Sequence, residues 1–450
     1  MEKKKITIPN ATLHRQKGGI NVPHYKNTVC CETIEMPSPD RVTMPVRQHI
    51  GAPCEPVVAK GDLVKVGQKI ADSSAFVSTP IHASVSGKVV AIEDVMMPGS
   101  GNVPSIIIES DGKMEVFEGV KPIPIPKTIK ELCQAIRESG LVGLGGAGFP
   151  AHVKLLPQEG KRIDTLIINF AECEPYVCSD YRLSIEETKD IFEGIDILQS
   201  LLHIPNVYIC VEDNKPEAIK ALQAAAKDEK FVSARDVRLA VLTSKYPKGA
   251  EKVLINIVTG RQVPTGKLPS DVGALVMNLS SIAFIAKYFK TGMPLISKRI
   301  TVDGSALKNP SILKVPIGTK IKDVIEFCGG YSKTAYKLLM GGPMMGVALY
   351  TDDIPLLKQN NAILVLAEDN SIKVAEPSSC IRCGRCVKAC PMSLVPAAVS
   401  AHYENKDFEA LRSFNVNTCI ECGSCSYVCP AKRPLVQTMR LAKAILKGGK

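Results

Sequence analysis

Two stretches near the end of the chain, CIRCGRCVKACP (380–391) and CIECGSCSYVCP (419–430), share one spacing, C-x2-C-x2-C-x3-C-P. A cubane iron-sulfur cluster needs three thiolates from one tight loop and a fourth from elsewhere, and in this doubled pattern each run's fourth cysteine ligates the other cluster. The spacing therefore predicts one 4Fe-4S cluster on Cys380, Cys383, Cys386 and Cys429 and a second on Cys419, Cys422, Cys425 and Cys390. Gly384 and Gly423 let the loops turn, and Pro391 and Pro430 redirect the chain after the last ligand. Paired CxxC motifs also suit zinc, but eight cysteines in this spacing with both prolines favour iron-sulfur chemistry. Two clusters imply an electron path with two ends.

A second stretch, GLVGLGGAGFP (140–150), puts Gly143, Gly145 and Gly148 in the form G-x-G-x-x-G. A dinucleotide fingerprint of that form must follow a strand and open a helix. What precedes it here, TIKELCQAIRESG, has helical period through Leu132 and Ile136 and an end at Gly140. The expectation is a glycine-rich loop whose backbone N–H groups approach a phosphate and a flat ring, set against the bland reading of a flexible turn.

These stretches must be held by several modules, since 450 residues exceed one ordinary core. With 45% hydrophobic and 22% charged residues, the composition is that of globular domains. No apolar run reaches 18 residues, and MEKKKITIPN lacks the apolar segment of a signal peptide, so neither a membrane span nor a secretory leader is expected. The formal charge of +11 counts the motif cysteines as neutral; two thiolate-bound clusters and a flavin phosphate would lower it to about +5. Zero Trp and 5% aromatic residues leave little for base stacking, which argues against nucleic acid. The eight remaining cysteines, Cys30, Cys31, Cys54, Cys133, Cys173, Cys178, Cys210 and Cys328, read as unreactive thiols in a reducing compartment.

The fold class is a multidomain α/β and α+β chain. Residues 1–30 read as a polar, extended arm. Residues 31–120 carry short β segments whose GDLVKVGQ and SVSGKVVAI resemble the halves of a biotinyl or lipoyl-type barrel-sandwich domain. The stretch where such carriers present a lysine, SSAFVSTPIHA, has none, so the module reads as a structural or docking domain rather than a swinging-arm carrier. KPIPIPK (121–127) opens residues 121–290, where TLIINF (165–170), VYICVE (207–212) and VRLAVLTS (237–244) alternate with helical patterns, as in a parallel Rossmann-like α/β sheet. Residues 291–375 resemble the small β-grasp domain called SLBB, with Thr319 as the expected N-cap of its helix. Residues 376–450 form the ferredoxin-like cysteine module, closed by the basic amphipathic PLVQTMRLAKAILK.

GLGGAGFP, NFAECEPYVCSD (169–180), YPKGAEKVLINIVTGRQVP (246–264) and VMNLSS (276–281) resemble, in order, the FMN- and NADH-binding subunit of respiratory complex I. With the barrel-sandwich module before and the double cysteine module behind, the chain resembles the RnfC family of the Rnf ferredoxin:NAD oxidoreductase complex nearly end to end. The resemblance implies FMN, bound without a covalent bond, facing Gly143, Gly145, Gly146 and Gly148 and hydrogen-bonded by Asn169 and Asn278. It implies NAD(H) as substrate, with Phe149 stacking on the nucleotide, Lys154 on its phosphates, and Glu172, Glu174, Gly249 and Glu251 on the nucleotide side. The chain departs from the complex I pattern at Ala171 and Ala250, which stand where that pattern has acids.

A hydride carries two electrons and a cluster one, so a flavin belongs between them. The resemblance implies an NADH-linked oxidoreductase in an ion-translocating complex, with no catalytic acid, base or nucleophile. The implied partners are an iron-sulfur subunit, membrane-embedded subunits and, indirectly, ferredoxin, at the cytoplasmic face of the bacterial membrane. A microcompartment cobalamin reductase shares this module order, and a non-enzymatic electron wire is the reading from another class.

Overall fold

The structure, a computed structural model, describes residues 10–156, 160–226, 237–369 and 376–448. The first nine residues of the arm, the end of the β-grasp module at 370–375 and the last two residues lie outside it. Among the described residues no helix is long and apolar enough to cross a membrane.

The barrel-sandwich strands form two antiparallel sheets. One runs in the order Arg41–Pro45, Gly101–Ser110, Gly87–Met97, Leu63–Val64, and the other in the order Glu55–Pro56, Lys69–Asp72, Ile81–His82. Val42, Met44, Ile70, Ile81, Val89, Ile106 and Ile108 fill the space between them. The lysine-free stretch at 73–79 packs on the next domain: Thr79 Oγ1 donates to Arg137 O at 2.9 Å.

The helix Ile129–Glu138 starts in a capping box between Thr128 and Glu131 and stops at Ser139, where Gly140 takes φ +71°. Beyond it lies a four-stranded parallel sheet in the order Val237–Leu242, Asn206–Glu212, Thr165–Phe170, Ala274–Asn278. Alternation serves both faces: Leu166, Ile168 and Phe170 pack with helices Thr188–Leu202 and Leu279–Thr291, while Ile167 packs with helix Glu251–Thr259. Chain order reverses between Thr165–Phe170 and Ala274–Asn278, and such a switch point opens a crevice at the carboxyl ends of the strands.

The β-grasp sheet contains Ser311–Pro316, Ser297–Asp303, Ala362–Ala367, Ala335–Met340 and Val347–Leu349, and Thr33–Glu35, from the start of the stretch 31–120, pairs at its edge rather than in the barrel sandwich. Its helix, Ile321–Phe327, corrects the capping expectation. The N-cap is Lys320, with no side-chain cap, whereas the Thr319 hydroxyl donates to Pro316 O at 2.7 Å. Leu356 N holds Thr319 O at 2.8 Å and Lys320 bridges Pro355, so the backbone stays extended one residue longer than the pattern suggests.

The described part of the arm bridges Asn10 to Leu239 and Ile20 to Tyr246, and Ile20 is buried. In the cysteine module, helices Pro396–Glu404, Phe408–Ser413 and Leu435–Gly448 close on a small core of Val399, Leu411, Val416, Met439 and Ala442.

Candidate functional site

The glycine loop is closed on itself and pinned from below. Val142 bridges Pro150, Gly143 N donates to Phe149 O at 2.8 Å, and Gly148 N returns to Gly143 O at 3.2 Å. Leu144 N donates to Ser281 Oγ at 3.1 Å, and Leu144 O accepts from Lys298 Nζ at 2.7 Å. At the loop's entrance Lys358 Nζ donates to Gly140 O at 2.8 Å and to Pro80 O at 2.6 Å. Burial disfavours the charged form of both amines, pulling Lys298 down to about 8 and Lys358 to about 7. The barrel-sandwich module adds a further tie, Ile50 N to Gly148 O at 3.0 Å.

What the pins leave free is the tip. Gly145, Gly146 and Ala147 are exposed, and among the described residues their amides have no protein acceptor. Gly146 sits at φ +110° with open space where a Cβ would project. A Cβ on Gly145 would stand 3.2 Å from the Asn278 amide. Free amides, an approach without side chains and open space in front fit a flavin's phosphate and ring.

Asn169 and Asn278 are direct neighbours across the switch point. Both amides are already partly used. Asn278 Oδ1 caps helix Leu279–Thr291 at Ser280 N, 3.0 Å, and its Nδ2 donates to Asp180 Oδ2 at 2.6 Å. Asn169 Nδ2 donates to Gly249 O at 2.8 Å, and its Oδ1 accepts from Ala171 N at 3.2 Å. Each Nδ2 carries a second hydrogen, so one donor per amide remains for a ligand. Gly249 must be glycine, because a Cβ there would lie 2.5 Å from Ala171 O.

Lys154, on the short helix Ala151–Leu155, donates to Glu251 Oε1 at 2.7 Å and to Val276 O at 3.2 Å. This pair stands at the carboxyl end of the sheet, about a third exposed on either side. The half-buried Glu172 and Glu174 are committed differently. Glu172 accepts from Asp180 N at 2.8 Å and Tyr181 N at 3.3 Å, capping helix Ser179–Glu186, and Glu174 accepts from Met344 N at 3.0 Å and Met345 N at 2.9 Å. Desolvation, opposed by these amides, pushes both carboxyls up to about 7.

In the cysteine module Gly384 and Gly423 take φ +71° and +76°, the left-handed turn expected of them. Cys390 does not stay with its own run: it lines one cavity with Cys419, Cys422 and Cys425, beside Met439 and Ile420. Cys386 and Cys429 meet around Leu435, while Cys380 and Cys383 are exposed. Among the described residues no three His, Cys, Asp or Glu side chains close on an ion-sized point. Four thiols spread round a volume suit the corners of a cubane.

Of the scattered thiols, Cys54, Cys133, Cys178, Cys210 and Cys328 are buried, Cys31 and Cys173 are intermediate and Cys30 is exposed. Burial pushes Cys133 and Cys328 up to about 11 and Cys173 and Cys178 to about 12, so these four stay protonated.

Sequence reading missed the two buried lysines, Ser281 and Asp180. Asp180 and Ser281 lie inside the quoted NFAECEPYVCSD and VMNLSS; Ser281, three residues from Asn278, had that nearness as a signal, whereas Asp180 stands eleven residues from Asn169. Lys298 and Lys358 had none, because a lone lysine at a strand or loop reads as surface.

Four family models match in succession. They are the RnfC barrel sandwich hybrid domain at 14–113, the Nuo51 FMN-binding domain at 136–287, the SLBB domain at 299–348 and a 4Fe-4S dicluster domain at 372–437. The chain is 48% identical to the C subunit of the proton-translocating ferredoxin:NAD(+) oxidoreductase complex of Clostridium ljungdahlii, over 95% of this chain and 93% of that one. It is 43% identical to the C subunit of the Na(+)-translocating ferredoxin:NAD(+) oxidoreductase complex of Acetobacterium woodii, over 95% and 96%. To the C subunit of the ion-translocating oxidoreductase complex of Rhodobacter capsulatus it is 38% identical, over 96% and 83%. Among solved structures, an NAD+-reducing [NiFe]-hydrogenase in the H2-reduced state superposes with TM-score 0.51 at 18% identity, over 72% of this chain and 61% of that one, a likeness of fold alone.

Proposed function

The chain belongs to the RnfC family, the C subunits of ion-translocating ferredoxin:NAD oxidoreductase complexes, and from that premise we propose how its residues divide the work. It is an oxidoreductase subunit with FMN and two 4Fe-4S clusters as cofactors and NAD(H) as substrate, one member of a multi-subunit complex. When bound, the flavin converts between the hydride's electron pair and the single electrons that clusters carry. Neither the cobalamin-reductase nor the wire reading gains a specific observation in its favour.

The exposed amides of Gly145, Gly146 and Ala147 would hold the flavin, with Gly143 and Gly148 closing the loop behind them and the spare amide hydrogens of Asn169 and Asn278 available to it. Phe149 offers a flat face to the nucleotide. Lys154, positioned by Glu251 and Val276 O, would meet its phosphates, and Gly249, by lacking a side chain, lets its segment close on Ala171 O beside this site. Glu172 and Glu174 shape this side through the amides they hold rather than through free carboxylate oxygens. Cys419, Cys422, Cys425 and Cys390 hold one cluster and Cys380, Cys383, Cys386 and Cys429 the other.

The observation that carries the reading is a contact. The loop of Cys419–Cys425 touches the domain that bears the switch-point crevice, through the Tyr246 hydroxyl on Cys422 O at 2.7 Å. The other set faces outward, with Ile381 67% exposed between exposed Cys380 and Cys383 and with Arg382, Arg385 and Lys388 in the same run. That basic, apolar face suits an acidic iron-sulfur partner, in keeping with a peripheral position beside membrane-embedded subunits at the cytoplasmic face.

The test is anaerobic mixing of the loaded protein with NADH. Flavin bleaching is expected, and a loaded wild type that stays oxidised leaves only the wire. Gly146→Val, which adds a branched side chain at φ +110° into the open space, is expected to lose flavin and retain about eight irons. Glu251→Ala is expected to retain flavin and weaken NADH roughly ten- to hundredfold, since losing a hydrogen bond that orders a charged contact costs about 1–3 kcal/mol.

A further inference from the structure

Tyr246 is a large side chain, 2% exposed, that opens the stretch YPKGAEKVLINIVTGRQVP but is not among the residues of that stretch placed at the flavin or the nucleotide. A buried phenol needs a partner for its hydroxyl, and this one finds it in another domain, at the backbone carbonyl of Cys422. The tyrosine's own backbone is fixed from the opposite side by the arm, Ile20 N to Tyr246 O at 2.8 Å and Tyr246 N to Ile20 O at 2.9 Å. Three residues further on, Gly249 O accepts from Asn169 at the switch point, and Gly249 N donates to Cys173 Sγ at 3.4 Å. The four-residue segment Tyr246–Gly249 thus joins the flavin-side asparagine to a residue of the cysteine loop.

Two more segments close on the same cysteine set, one at Cys390 and one at the Cys422–Gly423 loop. Gly19 N donates to Ala389 O at 2.9 Å, and Gly18 approaches so closely that a Cβ would stand 2.5 Å from Cys390 O. From the β-grasp domain comes the turn Gly341–Gly346. Glu174 grips it through Met344 N and Met345 N, and Gly342 lies where a Cβ would be 2.3 Å from Glu174 Oε2. Beyond Glu174 the turn reaches the cysteine loop: Met344 O lies 3.3 Å from the position of a Gly423 Cβ. Ile20, Tyr246, Ala389 and Cys422 form one buried cluster, with Cys173 and Met344 packed against it.

We propose that Tyr246 is the positioning residue of the junction between the flavin-side domain and the Cys390, Cys419, Cys422 and Cys425 set, and that Glu174 with the Gly341–Gly346 turn is the clasp that holds this junction shut. This deepens the reading of the preceding section and rests on it. The hydroxyl fixes the loop against the α/β domain, and its hydrogen, aimed at the carbonyl of a ligand residue, favours added negative charge on that set. Among the described residues no side chain of the α/β domain bonds the loop of the outer set.

The test uses the full chain with FMN and both clusters, comparing wild type with Tyr246→Phe, which keeps the ring and removes one donor. Midpoint potentials of the two clusters are read by electron paramagnetic resonance in a titration with a chemical reductant, so that the result does not depend on NADH. The inner cluster's potential should fall, with the ratio of reduced to oxidised cluster at a fixed potential dropping about two- to tenfold, while the outer cluster's stays put. In anaerobic rapid mixing with NADH, flavin bleaching should keep its rate and cluster reduction should slow. A variant that melts earlier but keeps both potentials and the cluster-reduction rate makes Tyr246 mere packing and overturns the proposal. Equal shifts of both clusters overturn it too. If wild type does not bleach with NADH while Tyr246→Phe still moves the inner potential alone, the functional reading fails and the junction stands.

Discussion

The two cysteine runs share every spacing but differ at five of their eight other positions, and they occupy unlike surroundings. Around the inner set, Cys422 and Cys425 are buried and the loop is touched by the α/β domain, the arm and the β-grasp turn. Around the outer set, Cys380 and Cys383 are exposed; the start of their run is tied back within its own module, Ser378 N to Ala431 O at 3.0 Å, and the arm meets that run only at its far end, at Ala389 and Cys390. Spacing decides what a loop can bind, because it fixes how thiolates converge. Surroundings decide with what it exchanges electrons, because packing sets distance, solvent access and hydrogen bonds to the ligand loop.

The largest expected effect comes from breaking the crossed arrangement. Cys390→Ala removes a thiol from the cavity of Cys419, Cys422 and Cys425, although it lies in the other run. Iron should fall from about eight to about four per chain, with the inner cluster's resonance lost and the outer one's kept. Cys429→Ala should produce the mirror image. Loss of the Cys380 set's cluster in Cys390→Ala would show that each run ligates its own cluster.

How much of this was legible in the sequence depends on the range of the forces concerned. The strand TLIINF and the helix stopping at Gly140 follow from local periodicity and caps, and both stand where the residue pattern places them. The convergence of Cys390 on the other run was legible too, since a known ligation pattern supplied the long-range contact. Thr319 failed as a cap because Leu356, 37 residues later in the chain, holds its carbonyl in an extended ladder. Glu172 and Glu174 were visible as two acids after an apolar strand. That their oxygens go to Asp180 and Met344 amides depends on tertiary placement that no local pattern encodes. Lys358, Lys298 and Tyr246 stayed hidden for the same reason: each bonds a carbonyl more than 150 residues away in the chain.

A matched pair of glycines sharpens the comparison at smaller scale. Gly384 and Gly423 hold equivalent positions with nearly equal positive φ, so alanine costs ~1–2 kcal/mol of left-handed backbone strain at either. A Cβ on Gly384 meets nothing within 4 Å, whereas one on Gly423 meets Met344 O at 3.3 Å. Gly423→Ala should therefore lose iron to a chelator faster than Gly384→Ala. Equal loss would mean that the β-grasp turn gives way freely and does not clamp the inner loop.

The smallest effect is a dependence on pH confined to the inner side. Desolvation outweighs the amides of Met344 and Met345, the nearby Lys26 and Tyr246, and lifts the Glu174 carboxyl from an ordinary 4.5 to about 7 in the folded chain. Between those values the folded state keeps a proton that the unfolded chain has released, so stability is complete below about 4.5 and declines as pH rises through about 7. Glu172 shifts the same way to about 7 and adds its own share. Glu174→Gln cannot ionise and can still accept one amide bond, so it should flatten part of the fall in melting temperature between pH 5 and 8 and leave the Glu172 part. Because Glu174 grips the turn that reaches Gly423, the same substitution should also reduce the pH dependence of iron release from the inner set, with the outer set unaffected. An undiminished slope in Glu174→Gln would place the titrating carboxyl elsewhere and leave the clasp without a role in the pH response.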